Sequence, residues 1–154
     1  MSYHIIYTKI GLVGFRIEDK KITQIDFNPK INNEDQMDEF SSSVGDNLSA
    51  FIEGKIKKID LPYELKGTEF QKKVLQAMRR IPFGSTVSYQ ELGIMVGSPN
   101  ASQAIGSVCA FNPLPLIFPC HRVIQKNGKL GGFSGGIEIK KVLLMNEKAF
   151  SDLV

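Results

Sequence analysis

The run Pro119-Cys120-His121-Arg122-Val123 sets a thiol beside an imidazole and a guanidinium. A free thiol with a pKa of ~8.5 is only partly ionised at neutral pH, and the thiolate is the nucleophile. A neighbouring imidazole, a cation or a helix N-terminus raises the thiolate fraction. Cys120 therefore reads as a candidate nucleophile. Cys109, the second cysteine, sits on an apolar stripe and reads as a core residue. Read as strand, the segment would point Cys120 and His121 to opposite faces, so the imidazole would act through a water or give way to another group. Two cysteines and two histidines make neither a zinc cluster nor a disulfide scaffold, and no metal is expected.

The segments around this run must position it. Thr68-x-x-Gln71 and Ser88-x-x-Glu91 have capping-box spacing. The first opens a helix with Phe70, Val74, Leu75 and Met78 on one stripe, ended by Pro82; the second opens a shorter one with Leu92 and Val96, closed by Gly97. Ser98 and Pro99 fit the N-cap and first turn of a third helix carrying Ala101, Ala104, Ile105, Gly106, Val108 and Cys109. A short helix, a glycine turn and a small-residue helix make a helix-turn-helix pattern. Five glycines in residues 127–136 fit a loop that turns tightly or approaches a ligand, and residues 137–149 read as a closing helix. Upstream, Tyr3–Ile10, Leu12–Ile17 and the segment with Ile22, Ile25 and Phe27 read as a β-meander. Residues 35–53 read as a helix, and Lys55–Leu65 as a linker or an extended edge segment.

The 154 residues permit one domain or two small ones, and 42% hydrophobic with 23% charged residues suits a buried core. No apolar run is long enough to span a bilayer, and no basic start precedes an apolar stretch, which argues against a membrane protein or a secreted precursor. The expected location is cytoplasmic. Charge is uneven: residues 1–60 hold 8 Lys/Arg and 10 Asp/Glu, and residues 61–154 hold 11 and 6. The second part carries the anion-facing bias.

Pro119-Cys120-His121-Arg122-Val123 resembles the active-site motif of the O6-alkylguanine-DNA alkyltransferases, the methylated-DNA–protein-cysteine methyltransferases. Gly67-Thr68-x-Phe70-Gln71, Ile81-Pro82-x-Gly84, Ser88-Tyr89, Gly97-x-Pro99, Ala104-Ile105-Gly106, Asn112-Pro113 and Gly135-Gly136 follow that family's order and spacing, as do Lys140, Leu143-Leu144 and Glu147. The resemblance covers about residues 66–148. It implies an α/β N-terminal domain over 1–60, a small antiparallel sheet plus helix of ribonuclease-H-like type, then a mainly α winged helix-turn-helix domain over 61–154. It also implies a suicidal reaction: an alkylated guanine is flipped out of double-stranded DNA, and the thiolate takes its alkyl group irreversibly, without a cofactor. The protein would act as a monomer.

On this resemblance Cys120 is the acceptor, His121 relays its proton through a water, and Glu147 orients His121. Asn112 holds the active-site turn, and Tyr89 polarises the base or presses on the rotating phosphate. Pro119, Val123, Phe133, Ser134 and Gly135 line the pocket. Ser102, Gln103 and Ala104 of the small-residue helix meet DNA, with Arg79, Arg80, Arg122, Lys126 and Lys129 as phosphate contacts. Taken singly, several have plainer readings: Tyr89 a core aromatic, Asn112 a helix cap, Glu147, Lys140 and Lys141 solvated. The ordered set favours the functional reading.

Two positions depart from the pattern. Gln103 stands where the family has an arginine finger, and residues 102–110 contain no Lys or Arg. Phe133 stands where tyrosine is usual, so one hydroxyl donor is missing. Three other functions compete. A non-catalytic lesion-binding protein similar to the alkyltransferase-like proteins would have tryptophan at the nucleophile position, and this chain has none. A winged-helix regulator would need a basic recognition helix. A cysteine hydrolase would turn over, and no separate oxyanion signal is present.

Overall fold

The computed structural model describes residues 1–30 and 33–147. Three antiparallel strands, β1 (Ser2–Thr8), β2 (Gly11–Glu18) and β3 (Lys21–Phe27), form the expected meander with β2 in the centre. Its inner face carries Val13, Phe15, Ile17, Ile22 and Ile25. The following helix, α1 (Glu39–Ile52), starts four residues later than expected, because Asp38 and Ser41 form a capping box. Asp35 instead meets β1, its N–H donating to Tyr3 O and its carboxylate accepting the Tyr3 N–H, each at 2.8 Å. Gly45 stays within α1 because a Cβ there would press Ile6 at 3.2 Å, so its absence lets the helix settle on the sheet.

Residues 55–65 are mostly irregular, and only residues 62–64 run along the edge of the sheet. Ile22 N–H donates to Pro62 O and Glu64 N–H to Ile22 O, which lays Tyr63 parallel to β3. The helices α2 (Glu69–Met78) and α3 (Tyr89–Met95) begin at both expected capping boxes. The next helix, α4 (Ser102–Ala110), begins later than the Ser98-Pro99 reading. Gly97, at φ +76°, takes the left-handed C′ position of a Schellman motif: Ser98 N–H donates to Gly93 O and Gly97 N–H to Ile94 O. Ser98 thus closes α3 rather than opening α4.

Two residues of β4 (Val87–Ser88) pair in parallel with β5 (Val123–Ile124), setting the start of α3 beside the Cys120 segment. The last helix is α5 (Ile137–Asn146); the final two residues of the expected helix, 148 and 149, lie outside the described residues. One hydrophobic cluster runs through both halves, from Val13 and Phe15 through Leu48 and Ile52 to Phe118 and Leu143. Among the described residues no helix is long and apolar enough to cross a membrane.

Candidate active site

Pro119 has φ −77° and ψ 69°, and Cys120 N–H donates across it to Phe118 O at 2.7 Å, an inverse γ-turn. Residues Cys120–Arg122 then make a single 3-10 turn. The strand expected here is absent, because the proline-centred turn coils the chain before β5 begins. Asn112 secures the approach: its Nδ2 donates to Phe118 O at 2.9 Å, and its Oδ1 accepts Leu114 N–H. Cys120 is 1% exposed. Burial pushes its thiol up to about 11, against the opposing pull of the Asn112 amide, the Lys140 charge and its own backbone bond. At rest the thiol is protonated.

His121 is fully buried, and its Nε2 lies 2.6 Å from Glu147 Oε2. Arg122 clasps the same carboxylate, Nε donating to Oε1 at 2.8 Å and Nη2 to Oε2 at 3.1 Å, while its Nη1 donates to Ile81 O. Gly84 N–H adds a fourth bond to Glu147 Oε1. Burial disfavours the Glu147 charge, but the bonds and charges of His121 and Arg122 outweigh it and hold the carboxyl down to about 2. Burial lowers the His121 pKa despite Glu147, so the imidazole rests neutral. Its Nδ1 is buried with no partner among the described residues. Phe51 of α1 meets the ring edge-on, with centroids 6.0 Å apart.

Lys140 is completely buried, not solvated. Its Nζ donates to the carbonyls of Val123, Leu130 and Gly132, tying the glycine loop to β5. Burial lowers its pKa to about 8, and the nearby Cys120 and Cys109 oppose the shift. Sequence reasoning missed this role, although Lys140 shares its helix face with Leu143 and Leu144 at i+3 and i+4. It missed Gly84 and Phe51 as well.

Tyr89, Ser102, Gln103, Gly106, Ala110, Gln125, Gly131 and Gly132 line a recess of about 410 Å³, and Cys120 is not part of its lining. Gly131, at φ +72°, admits the Tyr89 hydroxyl to the backbone, since a Cβ there would stand 2.7 Å from it. Burial, followed by the proximity of Cys109 and Cys120, raises the Tyr89 pKa to about 12. Ser102, Gln103 and Ala104 are exposed on the outer face of α4. Pro119 and Val123 are buried and do not line the recess. Phe133 packs on Phe27 of β3 at 5.5 Å, with Gly135 against both rings and Ser134 exposed.

The cations expected to meet phosphate are scattered. Lys126 and Lys129 are exposed in the turn after Gln125, beside the recess. Arg122 departs from the sequence reading: its guanidinium is buried and directs three of its five N–H groups to Glu147 and Ile81 O rather than outward. Arg79 donates to Ile59 O and covers the Tyr63 and Phe118 rings. With the exposed Arg80 it belongs to a separate concavity.

A thiol so enclosed is shut off from bulk solvent, and any group that reacts with it has to be brought to it. The model described as 6-O-methylguanine DNA methyltransferase, DNA binding domain, matches residues 69–149. A methylated-DNA–protein-cysteine methyltransferase of Mycobacterium tuberculosis is 44% identical over 110 residues, 71% of this chain and 66% of the relative. The chain thus spans about two thirds of that protein's length. A protein of the same name from Methanosarcina acetivorans is 37% identical over 153 residues, 96% of this chain and 98% of the relative. The crystal structure of Mycobacterium tuberculosis OGT in complex with DNA superposes with a TM-score of 0.84 at 35% identity, covering 96% of this chain and 92% of that one. The chain belongs to the 6-O-methylguanine DNA methyltransferase family.

Proposed function

We propose that this chain repairs DNA by direct transfer of an alkyl group from O6 of guanine to Sγ of Cys120. One observation carries the assignment of roles: the buried chain Arg122–Glu147–His121 adjoins a buried thiol, and His121 Nδ1 has no partner among the described residues. The thiol proton passes through a water to Nδ1. The imidazolium so formed is stabilised by Glu147, whose charge Arg122 maintains. The thiolate sulfur forms a bond to the alkyl carbon as the bond from that carbon to O6 breaks, and the electron pair leaves with the guanine, which takes up a proton. Lys140, whose charge lowers the Cys120 pKa, favours the thiolate. Asn112 holds the turn, and Tyr89 at the wall of the recess polarises the base or presses on its phosphate. The product is a thioether, which water does not reopen, so each molecule acts once.

The α3–α4 pair reads as the helix-turn-helix of a winged domain over 61–154, with residues 123–136 as its wing. Residues 1–60 form the ribonuclease-H-like domain. Support comes from the short closure between α3 and α4 and from the exposed small residues of α4 beside the recess. Gln103 acts as the finger that fills the gap left by a flipped base, offering a donor and an acceptor to the orphaned partner. Phe133 supports the glycine loop through Phe27 and supplies no hydroxyl to the base. Its partner is double-stranded DNA bearing O6-alkylguanine, met by a monomer in the cytoplasm, where two free thiols stay reduced.

The test is intact mass after incubation with a duplex containing one O6-methylguanine. Cys120 should gain one CH₂ unit and then be inert, and Cys120→Ser should bind DNA without transfer. Repeated turnover, or label on Cys109, would overturn the assignment.

A further inference from the structure

Positive charge is concentrated away from the recess. Residues 55–80 hold eight Lys/Arg and three Asp/Glu, a net of +5 in a chain whose total is +3. The segment before the edge strand and α2 bring part of this charge together around a concavity of about 530 Å³ lined by Lys58, Lys73, Gln76, Ala77, Arg79 and Arg80. Arg79 builds the surface: its bond to Ile59 O pins residues 55–60 to α2, and Ile59 is buried beneath them. Lys58, Lys73 and Arg80 are exposed, and none is in an ion pair among the described residues.

This surface faces away from the reading helix. Gln71 and Leu75 of α2 meet Val108 and Phe111 at the end of α4 across one small cavity. Lys73 and Gln76 lie about 140–200° around α2 from Gln71, the opposite face, and Arg80 follows the helix end. The recess and the basic concavity share no residue. The basic residues therefore lie across α2 from α4. Lys73 and Arg80 line the same concavity seven residues apart in sequence, with Lys58 alongside. They make an open row that suits a chain of phosphates better than one small anion.

We propose that the Lys58–Lys73–Arg80 face binds the phosphate backbone of a second segment of duplex DNA while α4 reads the first. The word second rests on the α4 reading proposed above; the basic face itself does not. Two such surfaces let one molecule bridge segments, and holding one raises the effective concentration of the other. For a protein that acts once, passage between segments widens the search before the cysteine is consumed.

The experiment mixes the full chain with two short, lesion-free duplexes carrying different fluorophores and reads energy transfer between them. In parallel it times methyl transfer on a short duplex with one O6-methylguanine. The variants are Lys58→Glu with Lys73→Glu and, as a control of equal charge change, Lys21→Glu with Lys30→Glu. The wild type should bridge, with sedimentation showing one protein and two duplexes. The first variant should lower the salt slope of bridging by about two and weaken it about tenfold between 50 and 200 mM salt, with transfer within about twofold. The control should bridge as the wild type does. No bridging by the wild type, two proteins in the bridged species, equal loss in the control, or slowed transfer in the first variant would overturn the proposal. Absence of methyl transfer in the wild type would instead count against the proposed chemistry and leave the bridging result readable.

Discussion

Two regions a few residues apart in sequence handle charge in opposite ways. Behind Cys120, His121, Arg122, Lys140 and Glu147 are all buried, and the three ionic side chains are each held by several bonds. By contrast, α4 carries no charged residue and exposes Ser102, Gln103 and Ala104. Buried ions interact strongly because little water screens them, and for the same reason each needs its partners. A neutral helix of small residues does the reverse, presenting shape with no fixed charge. Charge thus fixes geometry at the thiol, while the exposed face of α4 is defined by shape alone.

The sharpest way to break this contrast is at Glu147. Glu147→Gln leaves Arg122 buried without its counter-ion, which should cost about 3–5 kcal/mol of stability. Transfer should slow as well, since the imidazolium loses its neighbour. The pH dependence has a definite sign. The folded carboxyl is held at about 2, below its ordinary 4.5, so its contribution is complete above about 4.5 and fades as pH falls toward 2. Urea midpoints measured across that window should fall steeply in the wild type and less in the variant. An unchanged midpoint at neutral pH would mean that the buried cluster carries no stability.

A smaller effect probes the neutral side. Gln103→Ala should slow transfer from duplex DNA about tenfold, equivalent to ~1.4 kcal/mol, while barely changing reaction with a free O6-alkylguanine base that needs no flipping. Gln103→Arg should leave the free-base rate alone and improve duplex repair. Equal effects on both substrates would reduce Gln103 to a packing residue. The smallest change falls outside both regions: Thr68→Ala removes the α2 cap and should cost about 1 kcal/mol, seen in thermal melts, with no change in transfer.

What the chain revealed before folding follows the range of the interactions. The capping boxes at Thr68 and Ser88 close within four residues, so their types and spacing were sufficient. The meander was legible for the same reason. Asp35 was drawn into a helix because its partner, Tyr3, is 32 positions away. Lys140 is held by carbonyls 8 to 17 positions upstream, which no side-chain pattern announces. Arg122 and Glu147 are separated by 25 residues, and only their meeting shows that the arginine turns inward. Cys120 and His121 stand out by type and adjacency and Glu147 only through family likeness, whereas their enclosure belongs to the assembled core.

The contact of Phe51 with His121 bears on how far the acceptor module can be transplanted. The family match begins at residue 69, so the thiol and its dyad look portable as a block. Yet the wall beside the imidazole comes from α1, and Asn146, the residue before Glu147, hydrogen-bonds through its side chain to Ile52 O and Lys9 Nζ. A chimera joining residues 69–149 to a foreign N-terminal half would keep Cys120, His121 and Glu147 but lose the contacts of Phe51, Ile52 and Lys9. The setting of the imidazole is thus shared across a boundary that the sequence motif does not cross.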